Sequence, residues 1–422
     1  MSEYEPEKAY PAPISSLKGA ENIYIQTMAI ALALLPFIGY VAPRSLAFLP
    51  ALVGLMGFFA GWYIFKNRPS LHRGSLYIVL PMLLLAFVSL GWSIDLAESW
   101  ERILKITPVI FSGVMLLSLM HNYGARLMPL FTQLFPIVAL FALAVAFIDL
   151  ISNGIFYHLM QGAWPNDDFN ASALNRGIIV VMLSLIPAYA LIINNQDFWS
   201  LKRKRLYLAL TIPVLFGILL TTDSQSAHLI MALSLIFWVC FPVSKVKVWY
   251  GLWIVLATLI FASPWIAQAM FSALPDLIDN VAWFQQSYAL NRLEIWDYIG
   301  RYIEGSPFYG YGIETTRSIE DFDSAYLYDK KATVLHPHNF ALQLWIEFGV
   351  IGAALGALAS GYILRAISRM NGIQARMGLS AFIGLLCPAA TAYGMWQGWF
   401  IGLFFMITAF CLLVMQKPER AI

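Results

Sequence analysis

The run Ile23–Val41, IYIQTMAIALALLPFIGYV, decides how the chain is read. It carries no charge, and a helix needs roughly 20 apolar residues, rising ~1.5 Å each, to cross ~30 Å of hydrocarbon. The residues before it are polar and include Glu3, Glu5, Glu7 and Glu21. A secretory signal has a short basic start, so this run reads as a permanent membrane helix behind a cytoplasmic tail over residues 1–22.

The pattern recurs to the end of the chain. Of 422 residues, 60% are hydrophobic and 12% charged, and mean hydropathy is +0.69. Soluble domains run near half apolar and a quarter charged. Long apolar blocks also exclude a β-barrel, whose strands alternate over short segments. Spans are expected near 23–42, 46–65, 76–94, 103–120, 127–151, 177–194, 206–222, 227–243, 248–270, 338–364, 377–396 and 398–415. The expected fold is an all-α integral membrane protein of about twelve transmembrane helices. Nine of these helices fill residues 23–270, a large outward loop with amphipathic helices fills 271–337, three helices fill 338–415, and a tail closes at 416–422. Cys240, Cys387 and Cys411 fall inside apolar runs and read as buried small hydrophobes.

Lysine and arginine set the orientation, because they collect in cytoplasmic loops. Even-numbered connections carry Lys66, Arg68 and Arg73, then Arg126, Lys202 to Arg205, Lys245 and Lys247, and finally Arg365, Arg369 and Arg376. Odd-numbered ones carry few. Both termini are therefore expected in the cytoplasm, with the long connections 152–175 and 271–337 outside. Within the second, Trp283 to Tyr302 alternates at helical spacing and reads as an interfacial amphipathic helix.

Charge at membrane depth is costly and usually functional. Three outward positions stand out. His338 follows Pro337, a residue favoured in the first helical turn. A histidine there sits at the positive end of the helix dipole, stays neutral and can accept a proton. The alternative is an interfacial histidine satisfying a backbone group. Arg176 and Arg292 suit an anion, because guanidinium forks onto phosphate oxygens. Otherwise Arg176 is a snorkelling cap, and Arg292 a partner of Glu294 or Asp297. Asp321-Phe322-Asp323 and Asp167-Asp168 are weak metal patterns, and nothing resembles a phosphate-cradling glycine loop, so no metal or nucleotide is expected. Glu347 is taken as structural, and Gly349, Gly352 and Gly356 as a close-packing seam.

His338-Asn339, nine residues, then Gly349-Val350-Ile351-Gly352 resembles the motif H-[NSQ]-x9-G-x-x-[GTY] of O-antigen ligases. Their superfamily also holds O-antigen polymerases and protein O-oligosaccharyltransferases. Leu342 and Glu347 fit the same string. Arg292 with Trp296, then Pro307, Gly310 and Gly312, is similar to the family's stretch before a glycine turn, and Asn175-Arg176-Gly177 to its mid-chain arginine. Ser224-Gln225-Ser226 lacks the Ser-Arg pair many relatives carry.

The resemblance implies an inverting, metal- and nucleotide-independent glycosyltransferase of lipopolysaccharide biosynthesis, without cofactor. It would act at the periplasmic face of a Gram-negative inner membrane, moving O-antigen from an undecaprenyl-pyrophosphate-linked donor to a lipid A-core acceptor. No nucleic acid is involved. His338 would be the base, with Arg176 and Arg292 on the pyrophosphate. Asn339, Trp296, Arg301, Arg317, Gln225 and His336 are further candidate contacts, and Glu347, Gly349, Gly352, Gly310 and Gly312 structural. The alternatives are a polymerase or protein O-oligosaccharyltransferase and, outside the superfamily, a polysaccharide transporter, which predicts broken spans and repeat symmetry.

Overall fold

Proline and glycine decide where the helices of this protein bend, and the bends place the site. The computed structural model describes residues 14–160, 169–195, 198–273, 289–319 and 334–416. In chain order the helices are α1 (Ile14–Val41), α2 (Leu49–Phe65), α3 (Arg73–Ser89), α4 (Leu96–Ile151), α5 (Ile155–Met160), α6 (Asn175–Asn194), α7 (Leu201–Thr221), α8 (Gln225–Cys240), α9 (Val246–Ala273), α10 (Ala289–Ile303), α11 (Phe340–Ser368), α12 (Gly372–Thr391) and α13 (Gly398–Val414). Three 3-10 turns accompany them at Pro43–Ala47, Ala171–Leu174 and Thr315–Ser318. No strand occurs among the described residues.

Eight helices are long and apolar enough to cross a membrane, and α3, α8 and α13 are shorter apolar helices. The chain is a multi-pass helical membrane protein. Its outer faces agree: Leu84 is 65% exposed and Leu220 77%, a loss in water but not in hydrocarbon, which is as apolar as leucine. The amphipathic segment expected from Trp283 is helical from Ala289, and Trp283 to Tyr288 lie outside the described residues.

Two expectations need correction. The spans near 103–120 and 127–151 are one 56-residue helix, α4. Straight, it would run roughly 84 Å at 1.5 Å per residue, yet its contacts fold it back. A side chain at Gly113 would strike Phe405 and one at Gly124 would meet Gln416, so α4 first descends alongside α13. It then returns: Phe131 and Phe135 pack on Phe410 at 5.6 and 4.7 Å, and Asp149 accepts a hydrogen bond from Tyr40 (2.6 Å). Sharp helix bends have local causes such as proline, and Pro129 and Pro136 lie in the returning arm.

A proline also strips its helix of the N–H that would have reached the carbonyl four residues back. Two tryptophans take up the freed acceptors. Trp199 Nε1 donates to Thr132 O (3.0 Å), four residues before Pro136. Trp345 Nε1 donates to Ile260 O (2.9 Å), four residues before Pro264, and so pins α11 to α9. A buried carbonyl left without such a donor costs about 1–3 kcal/mol.

The second correction concerns α11, expected as one continuous span near 338–364. It starts at Phe340 and breaks at Gly349, whose φ is +61° and ψ −151°. The break opens the ladder, and the loop 307–312 fills it. Tyr311 N–H donates to Ile346 O (2.9 Å), Gly312 N–H to Glu347 O (2.9 Å), and Val350 N–H to Pro307 O (2.8 Å). The motif glycines are thus not a seam between helices. A Cβ on Gly349 would fall 2.4 Å from Phe308 C, and one on Gly352 2.4 Å from Leu344 O of its own helix. The first arm, residues 340–348, folds back on the second and leaves its N-terminus fixed in the bundle. The cysteines are free, and Cys240 is exposed rather than buried.

Candidate active site

Asn339 caps α11: its Oδ1 accepts from the amides of Ala341 (3.0 Å) and Leu342 (3.3 Å). His338 therefore precedes the cap instead of lying in the first turn. Its φ is +55°, a left-handed conformation that costs a non-glycine residue roughly 1–3 kcal/mol. Bonds on both sides hold it there. Trp296 Nε1 donates to Pro337 O (2.8 Å), and His338 Nδ1 lies 2.6 Å from Ala392 O. A carbonyl only accepts, so Nδ1 carries the proton and Nε2 of the neutral ring keeps a free lone pair. Burial holds His338 below the ordinary histidine range, and the Arg292 charge adds to this against the Ala392 bond. Neutrality thus comes mainly from burial, not from the dipole that the sequence suggested.

The α12–α13 turn, residues 392–397, gathers the other parts. Ala392 holds His338. Tyr393 lies beside Arg176, whose guanidinium is 5.9 Å from its ring and 5.6 Å from that of Trp399, within cation–π range. Burial raises the Tyr393 phenol, while the charges of Arg176 and Arg292 pull it down. Arg176 from α6 and His338 thus meet adjacent residues of one turn, and the charge of Arg292 from α10 reaches both His338 and Tyr393. The expected span 377–396 took in most of this turn, whereas α12 ends at Thr391. The turn's signal was there, in the aromatic and amide run Tyr393-Gly394-Met395-Trp396-Gln397-Gly398-Trp399 between two apolar spans.

Glu347 braces the turn from below. Fully buried, it accepts from Gln343 Nε2 (2.8 Å) and Trp396 Nε1 (2.6 Å), and Glu314 N–H also reaches it. Gln343 Oε1 accepts in turn from Met395 N–H (2.9 Å). His336 packs edge to face on His338, ring centres 4.1 Å apart, with Nε2 at 2.9 Å from Gln397 Nε2. Burial, then the nearness of the His338 ring and the charges of Arg317 and Arg102, push it down to about 3, against a smaller pull from its own backbone carbonyl.

The remaining candidates fall in different places. Arg317 pairs with Glu314 (2.6 Å) and Glu98 (3.3 Å), and Arg102 with Glu314 (2.8 Å), so both stand on the His336 side. Glu314 is nevertheless held above the ordinary carboxylate range by its burial. Arg102 and Glu314 were missed, because each is unremarkable in its own stretch. Arg301 is not drawn in: it is exposed, and its Nε–H is shared between the two carboxylate oxygens of Asp297 (3.0 and 3.1 Å) one turn earlier on α10. Gln225 opens α8 behind its cap Ser224, and Ser226 Oγ lies 3.1 Å from Thr391 Oγ1 beside the turn. Gly310 and Gly312 shape the loop that fills the α11 break.

A cavity of about 430 Å³ opens between α8, α9, α11 and α12. Its lining is apolar except at Ser263, Asn339 and Thr391, and Trp296 and Asn339 bring one end to His338. A second apolar cavity of about 270 Å³, between α3, α11, α12 and α13, reaches Phe340 and Trp396. Among the described residues no three of His, Cys, Asp and Glu gather as a metal site. Asp167, Asp168, Asp321 and Asp323 lie outside them.

Residues 206–357 match the family described as O-antigen ligase. A Rickettsia conorii protein whose name marks it as a candidate polysaccharide ligase is 26% identical over 343 residues, 80% of this chain and 78% of its own. A Rickettsia prowazekii protein of similar name is 26% identical over 281 residues, 65% of this chain and 64% of its own. One from Rickettsia typhi reaches 30% over 134 residues, 31% of this chain and 32% of its own. No solved structure matches.

Proposed function

We propose, from this resemblance to the O-antigen ligase superfamily, that the protein is a polysaccharide ligase and, more narrowly, an O-antigen ligase. It moves the glycan from undecaprenyl pyrophosphate to lipid A-core at the periplasmic face of the inner membrane. With α4 counted as two passes, the apolar helices make twelve crossings, both termini cytoplasmic.

The observation that carries the reading is the meeting of a neutral histidine, its Nε2 lone pair free, with the neighbourhood of two arginines at one turn. His338 Nε2 takes the proton of the acceptor hydroxyl. The hydroxyl oxygen bonds to the anomeric carbon as that carbon's bond to the pyrophosphate oxygen breaks. The electron pair leaves with undecaprenyl pyrophosphate, and Arg176 and Arg292 stabilise the growing charge. A single displacement inverts the anomeric centre. The 430 Å³ cavity, apolar and ending at His338, suits the start of a polyprenyl chain.

The test supplies purified protein with lipid-linked O-antigen and lipid A-core. Capped lipid A-core is the expected product. Glycan extended only on the lipid-linked donor makes the protein a polymerase and overturns the ligase reading.

A further inference from the structure

Gln397 is oriented from both ends. The indole N–H of Trp399 can only donate, and it donates to Gln397 Oε1 (2.8 Å). This turns the amide nitrogen toward His336 Nε2. The amide N–H donates, so Nε2 accepts and the ring proton of neutral His336 sits on Nδ1. That Nδ1–H is buried and has no hydrogen-bond partner among the described residues. The residue's own main-chain carbonyl pulls on the ring without completing a hydrogen bond to it.

Two further buried donors share the neighbourhood. Nε of Arg102 and Nε of Arg317 are also unpartnered among the described residues, and both guanidinium charges reach His336. A buried donor without an acceptor costs about 1–3 kcal/mol, and such groups call for an explanation in a folded protein. A ligand oxygen supplies one. The two guanidinium groups already face Glu98 and Glu314, which offsets their charge. What remains is directional N–H, suited to hydroxyl oxygens more than to phosphate. The placement is also telling: Arg292 acts on His338, while Arg102 and Arg317 act on His336. The two rings are in contact, centres 4.1 Å apart, so a hydroxyl held by His336 lies within reach of His338.

We propose that His336, with the Nε–H groups of Arg102 and Arg317, forms the subsite for the hydroxyl-bearing sugar of the glycan acceptor. His336 Nδ1–H is its positioning donor, aiming the attacking hydroxyl at the neighbouring His338. The subsite rests on the glycosyl-transfer reading above.

The test measures KM for lipid A-core and for lipid-linked donor separately, in full-length purified protein. His336→Asn keeps a side-chain N–H near the Nδ1 position, whereas His336→Gln places its nitrogen near Nε2. Loss of one hydrogen bond predicts a rise of about tenfold in acceptor KM for His336→Gln, with donor KM within about twofold. His336→Asn should stay within about threefold on both, and Arg317→Lys should again raise acceptor KM alone. The reverse order, Gln tolerated and Asn impaired, would assign His336 to its Gln397 contact and overturn the subsite. Equal shifts for both substrates, or uniform loss of turnover in every variant, overturn it as well. Dephosphorylated lipid A-core should show the same variant effects, and their disappearance would make the ligand a phosphate and contradict the assignment to a sugar. Failure of the unmodified protein to transfer glycan at all is a different result. It removes the function and the subsite together.

Discussion

The two ends of the bundle use their charges differently. At the end holding His338, arginines meet side chains: Arg102 and Arg317 meet Glu314, and Arg176 lies over Trp399 and Tyr393. At the opposite end they meet main-chain carbonyls and a ring face instead. Arg203 Nη1 donates to Phe198 O (2.7 Å), Lys204 Nζ to Ile193 O (3.0 Å), and Arg376 Nη1 to Trp238 O. Lys66 rests over the exposed Tyr63 ring at 4.2 Å. Cations on orphan carbonyls and ring faces are what a membrane surface asks for. Cations on buried carboxylates, threaded through a broken helix, hold a fixed geometry. The difference teaches that one end spends its cations on main-chain carbonyls, while the other fixes them among buried side chains around the candidate site.

Substitutions should separate the ends. Glu347→Leu strands three donors around the α12–α13 turn and should cost more than about 3 kcal/mol, read as a large drop in unfolding midpoint. An unchanged midpoint would deny that the network holds the site. Gly349→Ala forces a side chain into the left-handed region and against Phe308. A loss of about 2 kcal/mol or more is expected, and a neutral result would mean that the α11 break relaxes freely. Arg176→Ala and Arg292→Ala should raise donor KM about tenfold or more, because charged hydrogen bonds are worth about 1.5–3 kcal/mol. Unaltered donor use would remove them from the site. The smallest effect belongs to the far end: Arg376→Gln should leave turnover within about twofold, because Arg376 meets the carbonyl end of α8 and touches none of the groups around the α12–α13 turn. A large loss of turnover there would erase the contrast.

The pH profile sharpens the same contrast. His338 titrates below the ordinary histidine range, so its base form persists at neutral pH and into mild acid. The profile of kcat/KM should be flat from pH 7 downward past about 6.5 and fall only below that, as protonation takes the Nε2 lone pair. A fall beginning above pH 7 would contradict a buried, neutral base.

Much of this was legible in the sequence. The apolar runs gave the helices, and the histidine-glycine motif pointed to the head of α11. What escaped was contact between distant segments. The two arms of α4 were read as two spans; what left no mark is that they join in one helix without a connecting loop. Gly349 reads as a packing glycine until its φ is known. The break it makes is of the kind a transporter would carry, yet here the loop 307–312 seals it with three backbone hydrogen bonds. Tyr393 and Gln397 acquire meaning only when Arg176, His338 and His336 arrive from other parts of the chain. Arg301, named as a candidate contact, turned out to serve Asp297.

The central claim, that His338 is the base of a glycosyl transfer, meets its most direct test in single-turnover ligation by His338→Ala. The substitution should leave the unfolding midpoint close to that of the unmodified chain and lower the transfer rate at least about 100-fold at saturating donor and acceptor. A folded His338→Ala variant that transfers glycan at the full rate would contradict it.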